Sequence, residues 1–128
     1  MLEPETWPIG AITYQLVVDV ETPCRITPGR LGEHELAPGR YVYTGSARRH
    51  MAARIRRHLR SDKALRWHID WLLTRPEARV VDVQVSTEPE CAVNTRTGGR
   101  VPIPGFGASD CRAACGSHLR YLGPRDEP

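Results

Sequence analysis

The chain has 128 residues, 40% of them hydrophobic and 26% charged, with a formal net charge of +3 at pH 7. A chain of this length buries roughly two-thirds of its unfolded surface as one domain, so it needs neither disulfide staples nor a second core. It contains no apolar run of membrane-spanning length and no basic-then-apolar leader, so the expectation is a cytoplasmic protein without a membrane partner.

Residues 1–9 hold Pro4, Trp7 and Pro8 without periodicity and read as an N-terminal arm that packs by its tryptophan. A single domain is expected over 10–123, followed by a loose tail at 124–128. Residues 11–20 alternate, with Ile12, Tyr14, Leu16, Val18 and Val20 on one face, which predicts a strand with one buried side. Two turns, Pro28-Gly29 and Pro38-Gly39, bracket a short run from Leu31 to Leu36. The result expected is an antiparallel meander in which Tyr14 and Tyr43 point to one face of a sheet.

Residues 40–60 carry the strongest signal. Tyr41 and Tyr43 alternate with Arg40, Val42 and Thr44 in a strand that Gly45 is expected to end, and Ser46 offers a hydroxyl to cap the next helix. In that helix Met51, Ile55 and Leu59 form a narrow apolar stripe, with Ala47 and Ala52 beside it. Arg54 and His58 share one flank, Arg56, Arg60 and Lys63 the other, and Arg57 points roughly opposite the stripe. From Arg48 and Arg49 to Arg66 there are eight arginines and lysines against one acid, Asp62, a pattern that favours a phosphate-bearing partner over a merely solvated face. Seventeen of the 18 arginines and lysines in the chain are arginine, which suits bidentate phosphate contacts and is equally what a GC-rich genome produces.

Ser61-Asp62 then breaks the helix, and Leu65, Ile69, Leu72 and Leu73 mark a second amphipathic segment running to Arg75-Pro76. It carries Trp67, His68 and Asp70; His68 reads either as a half-buried packing residue or as a nucleic-acid contact. Residues 79–87 return to alternation, with Val81, Val83 and Val85 inward. Thr87 and Glu90 stand at capping-box spacing at the start of a helix reaching about Arg96, so Glu90 has a purely structural reading beside any functional one. Gly98-Gly99 through Gly107 is an irregular loop suited to lining a cleft, and a short apolar end runs from Leu119 to Leu122.

No glycine-rich phosphate loop is present, which removes most nucleotide-dependent enzymes. Ser109, Asp110 and His118 assemble a hydrolase triad only on paper, because no nucleophile elbow accompanies them. Cys91, Cys111, Cys115 and His118 have the donor types of a three-sulfur, one-nitrogen zinc site, but their irregular spacing favours ordinary thiols near a cleft.

The order Tyr14, then YVYTGSA, then Arg54 and His58 in RIRRH, then Glu90 at a helix start resembles the GIY-YIG nuclease superfamily. With WHIDWLL, the Glu90-Cys91 pair and GFGASDC followed by SHL, the chain is similar to a small prokaryotic branch found alone or fused to endonuclease III-type glycosylases. The resemblance implies an α+β fold: a small three-stranded antiparallel sheet flanked by helices, here with an extra hairpin insertion between the tyrosines and an irregular C-terminal segment. It also implies a metal-dependent endonuclease, with DNA the favoured partner, acting in repair or degradation beside a possible repair-protein partner. Tyr14 and Tyr43 would position or deprotonate water, Arg54 would steady phosphate charge, His58 would help lower a tyrosine pKa, and Glu90 would hold Mg²⁺ or Mn²⁺. Arg48, Arg49, Arg56, Arg57, Arg60, Lys63 and His68 would follow the nucleic-acid backbone, with Ser109, Asp110, Cys111 and His118 as accessory groups. Ile12-Thr13-Tyr14 stands where Gly-Ile-Tyr would, and Thr44 replaces a central isoleucine. A non-cutting nucleic-acid-binding module and a zinc-stabilised interaction domain are the alternatives, and nothing in the pattern sets an oligomeric state.

Overall fold

The computed structural model describes residues 6–108 and 115–124, so the positions singled out at Ser109, Asp110 and Cys111, and the tail beyond Pro124, lie outside the described residues. The alternating N-terminal run forms β1 (Thr13–Val20), and the aromatic run forms β4 (Gly39–Ser46). They pair antiparallel with Leu16 opposite Tyr43 and Tyr14 opposite Gly45, which sets the two tyrosines diagonally on one face. The insertion between them forms its own two-stranded sheet from β2 (Cys24–Ile26) and β3 (His34–Leu36) rather than continuing a meander.

Two further strands, β5 (Ala78–Ser86) and β6 (Leu119–Gly123), complete a sheet of order β5-β1-β4-β6, antiparallel throughout. The expected three-stranded sheet is therefore four-stranded. The C-terminal apolar end supplies the extra strand, placing Leu119 opposite Tyr43 and Tyr121 opposite Tyr41, with the last two rings 4.7 Å apart. In β5 the register slips opposite Val17 and Val18, and the bulge changes the phase of the strand. Val80, Val83 and Val85 pack on the core, while Val81 turns to the other face beside Val17 and Val42, contrary to simple alternation.

The basic stretch folds as α1 (Met51–Leu59), the second amphipathic segment as α2 (His68–Leu73), and the segment after β5 as α3 (Glu90–Thr97). Tyr14, Leu16, Val18, Tyr41 and Tyr43 pack against Met51 and Ile55 of α1, Ile69 and Leu72 of α2, and Ile103 and Phe106 of the following loop; Trp7 covers part of this core. The buried stripe of α1 is Met51, Ile55 and His58, whereas Leu59 is 39% exposed. A step of three from Ile55 reaches the same helix face as a step of four, and His58 occupies it because its ring has a polar partner inside the core.

Gly45 does not end the aromatic strand, and Ser46 does not cap α1. Both belong to β4, and the helix starts at Met51 behind His50, which adopts a left-handed conformation with φ of 57°. A Cβ on Gly45 would lie 2.5 Å from the Tyr14 ring, so the glycine makes room for a tyrosine across the strand pair rather than for a turn. The second helix is shorter than its pattern: Leu65 is exposed ahead of it, and the cap comes from Asp70, whose carboxylate accepts the backbone N–H groups of Arg66 and Trp67. No helix among the described residues is long and apolar enough to cross a membrane.

Candidate functional site

One cavity of about 260 Å³ gathers side chains from nearly every element: Tyr14 from β1, Tyr43 from β4, Arg54 from α1, Trp67 and His68 at the start of α2, Glu90 from α3 and His118 ahead of β6. The Tyr14 and Tyr43 rings lie 6.4 Å apart, and the Tyr14 hydroxyl is 2.7 Å from Nε2 of the buried His58. Burial pushes His58 down to about 4, and the charge on Lys63 adds to the effect. Near neutral pH the imidazole is uncharged, and its Nε2 shares one hydrogen bond with the Tyr14 hydroxyl, the direction of which follows the tautomer. Burial pushes both phenols above their usual 10; the neighbouring Tyr43 adds to the rise at Tyr14, and Glu90 adds to it at Tyr43. The surroundings thus do not lower a tyrosine pKa, contrary to the expectation for His58, because removal from water outweighs the lowering effect of the Arg54 cation.

His58 couples this pair to acid stability. Its folded pKa lies below the unfolded value of 6.5, so the unfolded chain takes up the proton first and stability falls as pH drops from about 6.5 to about 4. The expected loss across that window is roughly 3 kcal/mol. Urea midpoints measured between pH 7.5 and 4.5 should fall in the wild type and stay nearly level in His58→Gln; a level wild-type profile would contradict a neutral buried His58.

Arg54 is held from two sides: Nη1 donates to Ser46 O at 2.7 Å, and its guanidinium lies 5.0 Å from the Trp67 ring centre. Arg66 stacks on the same ring at 5.2 Å and also lines the cavity. Trp67 and Arg66 were not marked as site residues by sequence, although an aromatic flanked by basic residues was the available signal. Arg57 does not point away from the protein: it stacks on Trp67 at 4.5 Å and donates to both oxygens of Asp70 at 3.0 and 3.1 Å. Burial alone would raise the Asp70 carboxyl, but hydrogen bonds from Arg57, Trp67 and Arg66 hold it below its usual range. Lys63 does not share a helix flank with Arg56 and Arg60. It lies beyond α1 and donates to the carbonyls of Arg57 and His58 at 3.1 and 2.6 Å, and burial pushes it down to about 8. Arg48, Arg49, Arg56 and Arg60 are exposed, and His68 Nδ1 accepts the Gly107 N–H at 2.9 Å.

Glu90 makes no capping box, since Pro89 occupies the cap position and no side chain caps α3. Instead its Oε2 lies 2.9 Å from His118 Nδ1, which also faces Thr44 O at 3.3 Å. Both of these neighbours are acceptors, so Nδ1 carries the proton and donates. Sequence reasoning also missed the buried Asn94, whose Nδ2 donates to Ser117 O at 2.9 Å and ties α3 to the segment that carries His118. Cys91, Cys115 and His118 offer metal-binding atoms that all lie within 4.8 Å of one another.

The fold and site define an α+β domain whose antiparallel sheet and first helix present two tyrosines, an arginine and a glutamate to one polar cavity. Residues 13–128 match the family described as Domain of unknown function DUF123, and the chain belongs to that family. No curated protein and no solved structure matches it.

Proposed function

We propose that this chain is a GIY-YIG-type, divalent-metal-dependent endonuclease that hydrolyses nucleic-acid phosphodiester bonds, with DNA the favoured substrate, in repair or degradation. The observation that carries the reading is the convergence of Tyr14, Tyr43, Arg54 and Glu90, from four separate elements, on one cavity. Glu90 suits a hard cation such as Mg²⁺ or Mn²⁺, because it is a cavity-lining carboxylate, and magnesium commonly takes one or two such ligands while keeping water on its other positions. When bound, such an ion supplies Lewis acidity to a phosphoryl oxygen.

The side chains supply the rest. The Tyr14 hydroxyl, hydrogen-bonded to His58 Nε2, holds water in the cavity. As this water attacks phosphorus, the P–O bond to the leaving sugar oxygen breaks and the proton that the water loses is made good on that oxygen through solvent, so neither a free phenolate nor a buried imidazolium has to form. Tyr43 fixes the other side of the water, and Arg54, held by Ser46 and Trp67, faces the charge that grows on the phosphate. The exposed Arg48, Arg49, Arg56 and Arg60 follow the neighbouring backbone.

Incubating the protein with single- and double-stranded DNA and RNA in Mg²⁺, Mn²⁺ or EDTA tests the reading. Cleavage is expected with metal and not with EDTA, and it should slow in Arg54→Ala. Salt-sensitive binding without cleavage under any metal would sink the enzyme and leave a non-cutting binding module.

A further inference from the structure

We infer that Cys91, Cys115 and His118 form a second metal centre, a thiolate–imidazole site for zinc or a cation of similar softness, distinct from the hard-cation role given to Glu90. Cys91 lies in the first turn of α3, Cys115 in the segment ahead of β6, and His118 immediately before that strand. The three come from two stretches far apart in sequence, yet one ligand atom of each lies within 4.8 Å of the other two. In a tetrahedral zinc site, with Zn–S of about 2.3 Å and Zn–N of about 2.0 Å, two sulfurs and a nitrogen stand about 3.5–3.8 Å apart. Closing on an ion therefore asks for a movement of about one ångström, within the reach of a cysteine rotamer.

The tautomer of the imidazole suits the task. His118 is 1% exposed, and its Nδ1 donates towards Glu90 Oε2 and Thr44 O. With the proton fixed on Nδ1, Nε2 is the nitrogen left with a lone pair for a metal. A carboxylate that receives the far N–H of a ligand histidine is the usual second support of a zinc site: it sets the tautomer and makes the ligand nitrogen more basic. Sulfur and imidazole donors select zinc over magnesium, whereas the Glu90 carboxylate offers the hard oxygen that magnesium takes.

The consequence is structural, and it reaches the cavity. An ion at this centre would clamp the first turn of α3 to the segment entering β6, next to the Asn94 bond to Ser117 O that already joins them. It would also hold His118, and through it the carboxylate of Glu90, in one orientation. The inference does not rest on the nuclease reading, because a clamp of this kind serves a binding module equally well.

The test is metal content and cobalt spectroscopy on the whole chain, neither of which depends on cleavage. Protein produced with added zinc should carry about one equivalent after exhaustive dialysis, and cobalt replacement in the reduced protein should give the intense visible bands and sulfur charge-transfer absorption of tetrahedral thiolate coordination. Cys91→Ser and Cys115→Ser should each lose most of the metal and the charge-transfer band. Cys24→Ser, altered at a buried cysteine of β2, should keep both. Glu90→Gln should also retain zinc, since glutamine still accepts the His118 N–H. Substoichiometric zinc with no charge-transfer band in reduced wild type would overturn the centre, as would zinc that disappears in Glu90→Gln but persists in both cysteine variants. Wild-type metal content and spectra decide the matter even if a cysteine variant fails to fold.

Discussion

Glu90→Gln is expected to slow metal-dependent cleavage by about 10³-fold while leaving the fold and metal-free nucleic-acid binding close to wild type. The substitution keeps the shape and an acceptor oxygen for the His118 N–H, a contact of 2.9 Å in the native site, so the orientation of α3 has no reason to change. What disappears is the negative charge facing the cavity. On the proposed reading that charge would hold a hard divalent cation, the Lewis acidity of which would supply several kcal/mol of transition-state stabilisation; about 4 kcal/mol corresponds to 10³ in rate. Single-turnover cleavage at saturating protein, with and without excess Mn²⁺, measures the effect. A rate within about tenfold of wild type would remove Glu90 from the chemistry and leave it as the partner of His118. The same assay on Arg54→Ala should show a loss of about 10²-fold or more, as expected when a fixed cation no longer faces developing phosphate charge.

The central strands were legible because period-two alternation in β-favouring residues is a local signal, and it put Tyr14 and Tyr43 on one face before any pairing was known. The stripe of α1 was only partly legible. A histidine does not register as apolar, so Leu59 was read as the third core position in place of His58, whose burial depends on a tyrosine 44 residues earlier. Val81 was misplaced for a related reason: alternation assumes an unbroken register, and the slip opposite Val17 and Val18 is decided by the partner strand. The fourth strand was hidden by its length, since five residues after an irregular loop carry too little pattern to separate a strand from a packed terminus.

The site divides along the same line. The resemblance marks Glu90 as a site residue, whereas its position at a helix start suggests a capping role; its actual partner, His118, is 28 residues away. Helix geometry spreads the basic residues over both flanks of the stripe and the side opposite it, and all of them read as candidate phosphate contacts because sequence shows charges and not their partners. Folding divides the set: Arg57 and Lys63 bind groups of the protein itself, Arg54 is fixed at the cavity, and Arg48, Arg49, Arg56 and Arg60 stay exposed. Spacing within α1 could not have shown this division, because the acid that engages Arg57 is on α2.

That acid accounts for the largest stability effect expected here. Asp70→Ala should lower the unfolding free energy by about 3–5 kcal/mol, against the 5–15 kcal/mol typical of a whole domain. The Asp70 side chain is fully buried, and it accepts two hydrogen bonds from Arg57 and one each from the backbone N–H groups of Arg66 and Trp67. Alanine strands all of these donors: among the described residues the guanidinium keeps the Ala64 carbonyl and the Trp67 face, and the start of α2 loses its cap, by itself worth about 1 kcal/mol. Asp70→Asn should lie between wild type and alanine, because an amide oxygen still accepts a backbone N–H but cannot match the Arg57 charge. Arg57→Met in the Asp70→Ala background should recover part of the loss by removing the stranded cation, since apolar replacement of a buried pair costs far less than breaking it. Urea melts with unchanged slope would place the effect in the folded state. A loss below about 1 kcal/mol would mean that the pair behaves as a solvent-screened surface bridge. The same variant connects stability with the site, because Asp70 holds the backbone of Trp67, the ring on which Arg54 rests; cleavage should therefore fall in Asp70→Ala even at temperatures where the variant remains folded.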